Sequence, residues 1–204
     1  MKPTHFLCIP LVTQASRYQL SESLGSFKTY VTDTLGIHGM AVRPLSTMHL
    51  TLGVMNLPKD EDLTNAIELL HSVKPMFPKK PLKISLHGLD TFPGTDIRHA
   101  HILFAHPTCL DYDFEALCHR IRAIFEDADL VDKTSFGLTL HATVINARKT
   151  PDKKGIDATE LLERYADYLW MDSPIKEIGI CRMGAQKKGD DGDEEYPLVA
   201  SIDI

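Results

Sequence analysis

Two short segments of the sequence combine histidine and threonine at the same spacing. His49 and Thr51 lie in the string HLTL at positions 49–52, and His141 and Thr143 lie in HATV at positions 141–144. Residues i and i+2 of a β-strand point to the same face, so each histidine is predicted to project beside its threonine. The apolar neighbours are predicted to pack on the opposite face. Each segment should therefore be a strand that presents one imidazole and one hydroxyl together.

Two such pairs that face one another across a groove can carry out phosphoester chemistry without a metal ion. The ordinary histidine pKa lies near neutrality, so one imidazole can accept a proton from a water or hydroxyl while the other donates a proton to the leaving oxygen. The threonine hydroxyls can hydrogen-bond the nonbridging phosphate oxygens. Either histidine can be the acid, and these residues alone do not distinguish hydrolysis from the reverse ligation.

The two segments belong to an internal repeat with an offset of 92 residues. The offset that superimposes the two His/Thr pairs also lays residues 66–70 on residues 158–162, where one alanine, one glutamate and two leucines recur. A single offset that aligns both a strand and the helix after it indicates two similar lobes. We therefore predict one domain over residues 1–204, built from two lobes that share a groove.

The apolar pattern predicts alternating helices and strands. Helical spacing predicts helices over residues 20–35, 63–73, 114–125 and 158–169, the last of which includes Leu169. Short apolar runs predict strands over residues 6–11, 48–55, 82–89, 101–105, 140–146, 175–183 and 198–204. The acidic run from Gly189 to Glu195 is predicted to be a solvated hairpin tip.

The composition is that of an ordinary globular protein. Hydrophobic residues make up 43% of the 204 residues and charged residues 25%, and the net charge of −6 argues against a broadly basic nucleic-acid coat. The cysteines are scattered without a CxxC pair, so we predict reduced thiols in an intracellular protein, without a zinc module or a disulfide framework. They are Cys8, Cys109, Cys118 and Cys181. No apolar run approaches the roughly 18 residues of a membrane span.

A few further side chains have a functional and a structural interpretation. Phe6 can stack on a base, although packing in the core is favoured because an apolar first strand is what such a core requires. Arg182 can assist phosphate binding or be a solvated surface arginine. His99 and His101 have the spacing of a metal pair, but no third ligand is identifiable nearby, so we predict no metal site and no cofactor.

At its His/Thr motifs the sequence resembles the 2H phosphoesterase superfamily, which includes RNA ligase-like cyclic phosphodiesterases. The strings THFLCIPL, RPLSTMHLTLGVMNL and LHATVINA are most similar to the phosphoesterase domains of A-kinase anchoring protein 7 and activating signal cointegrator 1 complex subunit 1. The resemblance runs from Thr4 to Ile204. It implies an α+β bilobal fold in which two pseudo-symmetric lobes line a central cleft with antiparallel sheets and carry helices outside. It also implies catalytic roles for both His/Thr pairs.

Two functions follow from the motifs and the resemblance. The first is a metal-independent phosphodiesterase that acts on 2′,3′-cyclic phosphates or on short RNA or oligonucleotide ends, including 2′,5′-linked ones. The alternative is a catalytically weak nucleotide- or RNA-binding module, which serves as a subunit of a nucleic-acid-processing or transcription coactivator complex. The expected partners are a nucleotide or short RNA end and a nuclear coactivator or repair complex. We expect a monomer in the cytoplasm or nucleus, without a membrane partner.

Overall fold

The computed structural model describes residues 2–133, 137–188 and 193–204, which contain ten strands and four α-helices. One group of strands comprises β1 (His5–Pro10), β2 (His49–Met55), β7 (Glu177–Arg182) and β10 (Leu198–Asp203). A second group comprises β3 (Lys83–Asp90), β4 (Ile102–Thr108), β5 (Ala142–Asn146) and β6 (Leu169–Pro174). Each group forms a four-stranded antiparallel sheet, in the orders β10-β7-β1-β2 and β5-β4-β3-β6.

Four α-helices pack against the two sheets. They are α1 (Arg17–Asp33), α2 (Asp60–Ser72), α3 (Phe114–Asp127) and α4 (Thr159–Arg164). Helix α1 packs on β6 and α4 on β3, whereas α2 packs on β7 and β10 and α3 on β2. Helix α1 thus follows a strand of the first sheet in the chain but packs on a strand of the second sheet. This crossing connects the two lobes. The predicted α+β architecture with antiparallel sheets and outer helices is confirmed. Within the described ranges, no helix combines the length and apolar character needed to cross a bilayer.

The two motif strands occupy equivalent places in the two sheets. The chain order β1-α1-β2-α2 recurs after β3 as β4-α3-β5-α4. The motif strands β2 and β5 each lie at an edge of their sheet. The segment before β2 joins these edges. Val42 forms an isolated bridge with Ile145, and the backbone N–H of Arg43 donates to the carbonyl oxygen of Val144 at 2.9 Å. The two lobes therefore meet at the strands that carry the motifs.

The predicted helix over residues 158–169 is wrong in its second half. Helix α4 ends at Arg164, and Leu169 begins strand β6 instead. Leu169 is 47% exposed, whereas Trp170 is fully buried and its indole N–H donates to the carbonyl oxygen of Gly88 at 2.7 Å. The spacing of Leu169 from the apolar residues of α4 fits a helix only by coincidence. The residue that packs in the core is the neighbouring Trp170.

The acidic segment near the C-terminus is more ordered than a solvated tip. Strands β8 (Gln186–Lys188) and β9 (Asp193–Glu195) form a two-stranded hairpin, and the residues between them, 189–192, lie outside the described ranges. The Asp193 carboxylate accepts hydrogen bonds from the backbone N–H and the hydroxyl of Ser46. The predicted hairpin is present, but the prediction that the segment is solvated is wrong for β9, which docks beside the start of β2.

Candidate active site

Each motif strand alternates between the cleft and the core. His49 and Thr51 are half-buried, whereas the side chains on either side of Thr51, Leu50 and Leu52, are fully buried. In the second motif His141 and Thr143 are likewise half-buried and their apolar neighbours are buried. His141 itself is the residue immediately before β5. The predicted alternation is therefore present in both motifs.

A β-bulge follows the threonine of each motif. Along β2 the pairing with β1 skips Leu52, and along β5 the pairing with β4 skips Val144. A bulge leaves its extra residue out of the ladder and re-aims neighbouring side chains. Both freed carbonyl oxygens have other donors: the Arg122 side chain donates to Leu52 at 2.9 Å, and the Arg43 backbone N–H donates to Val144 at 2.9 Å. The two lobes thus share this local distortion beside the motif.

Both imidazoles are held by the same backbone contact. Nδ1 of His49 lies 2.7 Å from the carbonyl oxygen of Thr47, and Nδ1 of His141 lies 2.7 Å from that of Thr139. A carbonyl oxygen can only accept, so Nδ1 carries the hydrogen in each ring. The neutral tautomer then leaves Nε2 as the acceptor, and the Thr51 hydroxyl lies 3.0 Å from Nε2 of His49. Each histidine can therefore exchange a proton through Nε2 without losing its anchor.

Aromatic rings surround each histidine. The ring centroid of His49 lies 4.9 Å from that of Phe6 and 5.4 Å from that of Tyr196. The ring centroid of His141 lies 5.0 Å from that of Phe92 and 5.2 Å from that of Phe104. These aromatic contacts restrict the orientation of each imidazole ring and exclude water from the faces that they cover.

The surroundings disfavour the protonated form of both histidines. Burial lowers the pKa of His49 to about 4; the hydrogen bond to Thr47 opposes this shift, and the positive charges of Arg43 and of His141 add to it. Burial also lowers the pKa of His141, against the opposing hydrogen bond to Thr139. Both rings are thus neutral near pH 7 until an anion binds between the lobes. A bound phosphate would raise both pKa values again.

One cavity of about 190 Å³ collects side chains from both motifs. His49 and Thr51 enter it from β2 and Thr143 enters it from β5, while His141 lies outside its lining, two residues before Thr143. The remaining lining residues are Phe6, Arg43, Thr47, Val54, Asn146, Met183 and Tyr196. Three of the four motif residues therefore share a space large enough for a phosphate group.

Arg43 and Tyr196 are cavity residues that the sequence patterns missed. Arg43 is only 8% exposed, and its guanidinium donates to the Tyr196 hydroxyl at 3.2 Å. Neither residue belongs to a repeat or to a periodic stripe, so their proximity arises from the tertiary fold alone. The only signal in the sequence is that Arg43 is an arginine placed close before the first motif. A buried cation at this point places a positive charge close to His49, whose pKa it helps to lower.

The structure separates the two additional candidates. Phe6 is 2% exposed, packs with Cys8 and Cys181, and also borders the cavity. Arg182 is exposed and is paired in register with His5. Adjacent residues of a strand point to opposite faces, so Arg182 lies on the face away from Phe6 and the cavity. The phosphate-binding role of Arg182 stays a prediction, as does base stacking by Phe6.

The histidine pair outside the motifs does not resemble a metal centre. His99 is exposed and its Nδ1 lies 3.0 Å from the Asp96 carboxylate, whereas Nδ1 of His101 is buried without a hydrogen-bond partner. Across the described ranges, no three His, Cys, Asp or Glu side chains are grouped to hold a metal ion. The metal-free mechanism stays a prediction.

Comparisons with known proteins identify the family and the fold of the chain. Residues 3–204 match the family described as the AKAP7 2′5′ RNA ligase-like domain. An uncharacterized protein of Schizosaccharomyces pombe is 26% identical over 208 aligned positions, which cover 98% of this chain and 95% of that protein.

Solved structures share the fold at low sequence identity. A Thermus thermophilus protein superimposes with a TM-score of 0.62 at 18% identity, over 98% of this chain and 97% of the other. Escherichia coli LigT in complex with 3′-AMP superimposes with a TM-score of 0.61 at 13% identity, over 99% of this chain and 98% of the other. The mixed fold of helices and antiparallel sheets is that of the 2H phosphoesterases. Within that superfamily, the chain belongs to the AKAP7 2′5′ RNA ligase-like domain family.

Proposed function

We propose that the protein is a metal-independent phosphodiesterase that opens 2′,3′-cyclic phosphates and cleaves short RNA or oligonucleotide ends, including 2′,5′-linked ones. The observation that carries the proposal is the convergence of both motifs on one cavity. His49, Thr51 and Thr143 line it, and His141 stands beside it with the same backbone anchor as His49. Nucleotide binding by the related fold of LigT, solved with 3′-AMP and with ATP, supports a nucleotide as the ligand.

The two histidines divide the proton transfers according to their pKa values. Burial holds the pKa of His49 at about 4, so when one proton is shared between the two rings it resides on His141. His49 then acts as the base: Nε2 takes a proton from the attacking water as the new P–O bond forms. His141 acts as the acid and protonates the ribose oxygen as its bond to phosphorus breaks. The product is a phosphomonoester.

The phosphate oxygens are held by three side chains of the cavity. Thr51 and Thr143 contribute hydroxyl donors from opposite lobes, and the Arg43 guanidinium contributes a buried positive charge. Donors fixed before reaction stabilise the extra negative charge of the transition state more than donors in water do. The cavity therefore supplies charge stabilisation from its own residues.

A basic groove supports a strand of nucleotides rather than a mononucleotide as the substrate. It has a volume of about 780 Å³, and Arg43 borders both the groove and the cavity. Its exposed cations are Arg17, Lys28, Lys149 and Lys187, none of which lies within ion-pairing distance of a carboxylate in the part of the chain that is described. Asp193 and Glu194 are its acidic residues. Exposed cations that line one groove without carboxylate partners are suited to the phosphates of a single strand.

Reversing two of these charges should weaken the binding of long substrates and leave that of short substrates unchanged. We expect the double variant Lys28→Glu, Lys149→Glu to raise KM for a cyclic-phosphate-ended oligonucleotide about tenfold and to weaken its salt dependence, because each lost phosphate contact removes about 0.7 from the logarithmic salt slope. KM for a 2′,3′-cyclic mononucleotide should not change. Steady-state kinetics at several salt concentrations measures both.

The matched control makes the same charge change away from the groove. The double variant Lys74→Glu, Lys79→Glu replaces two exposed lysines that do not line it. If this control raises KM for the oligonucleotide as much as the groove variant does, net charge rather than the groove determines binding.

The proposed function is tested directly with a substrate panel. We expect the wild-type protein to turn over at least one of a 2′,3′-cyclic nucleotide, an RNA with a cyclic end and a 2′,5′-linked oligonucleotide, at a rate that EDTA does not change. Activity that disappears with the chelator would exclude the metal-free mechanism. Saturable nucleotide binding without any product across the panel would instead favour the binding module.

A further inference from the structure

Two buried cysteines face each other on the floor of the cleft, and the proposed chemistry uses neither. Cys8 on β1 is 1% exposed and Cys181 on β7 is 5% exposed. The Cys8 thiol donates a hydrogen bond to the sulfur of Cys181, and the two sulfur atoms are 3.7 Å apart. The residues are 173 positions apart in the chain, so only the pairing of β1 with β7 brings them together.

The cysteine pair is in direct register with the candidate active site. Cys8 lies opposite Thr51 on the neighbouring strand β2, and Phe6 lies opposite Cys181 on β7. The Thr51 hydroxyl is 3.0 Å from Nε2 of His49, and the Phe6 ring is 4.9 Å from the His49 ring. Each cysteine is therefore paired across its strand with a residue that contacts His49, so a chemical change at either sulfur lies next to such a contact.

We propose that Cys8 and Cys181 are an oxidation site, at which a peroxide converts the two thiols into a reversible disulfide that lowers the activity of the cleft. The formation of the disulfide rests on the proximity of the two sulfur atoms and does not depend on the proposed function. Its effect on turnover rests on the proposed function.

A peroxide can reach the pair through a second cavity. This cavity has a volume of about 130 Å³ and is lined by both cysteines together with Phe6, His49 and Tyr196, among others. It is too small for a nucleotide but large enough for hydrogen peroxide. The cavity therefore gives a small oxidant access to sulfur atoms that larger reagents cannot reach.

The oxidation proceeds in two balanced steps. The hydrogen bond from the Cys8 thiol lowers the pKa of Cys181, whereas this same bond and, after it, burial raise the pKa of Cys8. The Cys181 thiolate attacks one peroxide oxygen, the O–O bond breaks, and the released hydroxide takes up a proton to leave as water. Cys8 then attacks the sulfenic sulfur, its proton joins the departing hydroxyl as a second water, and the S–S bond forms. Two thiols and one peroxide give one disulfide and two waters.

The disulfide changes the geometry of the cleft floor. The sulfur atoms must close from 3.7 Å to about 2.05 Å, while β1 and β7 are already joined by their ladder of hydrogen bonds. Disulfides exchange with free thiols, so the bond should be reduced again by a thiol such as dithiothreitol. This approach displaces Cys8, which lies opposite Thr51, and Cys181, which lies opposite Phe6. Since displacements of about 1 Å in an active site can cost on the order of 10²-fold in rate, we expect a loss of tenfold or more.

The test measures the cross-link and the activity separately. Reduced wild-type protein is treated with hydrogen peroxide, and its intact mass should fall by about 2 Da, the two hydrogens lost on disulfide formation. Alkylation after denaturation should then modify two of the four cysteines, and peptide mapping should join Cys8 to Cys181. Turnover should fall tenfold or more and return with dithiothreitol.

Matched variants show which thiols are responsible. Cys8→Ala and Cys181→Ala, each compared with its own reduced activity, should resist peroxide, whereas the double variant Cys109→Ser, Cys118→Ser should remain sensitive. Four free thiols after peroxide treatment, or oxidation without a Cys8–Cys181 peptide, would overturn the oxidation site. A cross-link without loss of activity would overturn the effect on the cleft. If the reduced wild type shows no turnover at all, the proposed function fails, and the mass measurement still decides whether the disulfide forms.

Discussion

Replacing His49 with alanine is expected to lower kcat for a 2′,3′-cyclic nucleotide by on the order of 10²–10⁴-fold, and His141→Ala should do the same. Each change removes the group that the proposed mechanism assigns to one of the two proton transfers. Because both transfers belong to one reaction, the double variant should be little slower than either single variant. Steady-state kinetics on purified protein measures the three effects.

The loss should come from chemistry rather than from unfolding. Each imidazole is anchored mainly by its own backbone carbonyl, that of Thr47 for His49 and that of Thr139 for His141. Both rings lie at the cleft and not in the main apolar core. The matched control is His71→Ala, an exposed histidine at the end of α2. Full activity in either motif variant, with His71→Ala also fully active, would remove the two-histidine mechanism.

The pH profile should distinguish the base from the acid. The reactive form of the free enzyme has His49 neutral and His141 protonated. With the pKa of His49 at about 4 and that of His141 below its ordinary value of 6.5, kcat/KM should fall below about pH 4 and should already be falling with rising pH near neutrality. The optimum of kcat should lie at higher pH, because bound phosphate raises both pKa values. An alkaline limb that survives in His141→Ala would contradict this assignment of roles.

Replacing Arg43 with methionine should produce the second largest loss, on the order of 10²–10³-fold in kcat/KM, because a fixed cation beside the reacting phosphate is removed. Most of the loss should appear in kcat, since the added negative charge of the transition state needs the guanidinium most. Arg43→Lys keeps a charge but loses the planar donor pair, and we expect an intermediate rate.

A second readout separates this role from a structural one. The Arg43 charge helps to hold the pKa of His49 down, so its removal should raise that pKa and move the acidic limb of kcat/KM to higher pH. Arg43 also donates to the Tyr196 hydroxyl, and Tyr196→Phe serves as the control that breaks this contact without removing the charge. If Tyr196→Phe loses as much activity as Arg43→Met and shifts the limb equally, Arg43 acts by positioning Tyr196 and not by its charge.

The strand motifs were predictable because their pattern is local. Alternation along His49 to Leu52 and along His141 to Val144 follows from strand geometry, and the structure places polar and apolar side chains on the expected faces. The common offset of the two segments also predicts two lobes, whereas the antiparallel sheets were implied by the resemblance to the 2H phosphoesterases. The β-bulges after Thr51 and Thr143 were not predictable, because they depend on how the motif strands pair with distant neighbours.

The rest of the cavity depends on contacts that no local pattern encodes. Arg43 and Tyr196 are 153 positions apart, and their hydrogen bond exists only because the hairpin of β8 and β9 folds back beside β2. The wrong boundary at Leu169 has a related cause. Burial of Trp170 against Gly88 makes the segment a strand, whereas spacing alone favours a longer helix.

Phosphorus NMR of a 2′,3′-cyclic nucleotide incubated with the protein tests the central claim most directly. In the presence of EDTA, the wild-type protein should convert the cyclic-phosphate signal into that of a phosphomonoester, and the double variant His49→Ala, His141→Ala should leave the cyclic signal unchanged over the same time. Equal conversion by the wild type and the double variant, or conversion by the wild type only when a divalent metal is supplied, would contradict a metal-independent reaction carried out by the two histidines.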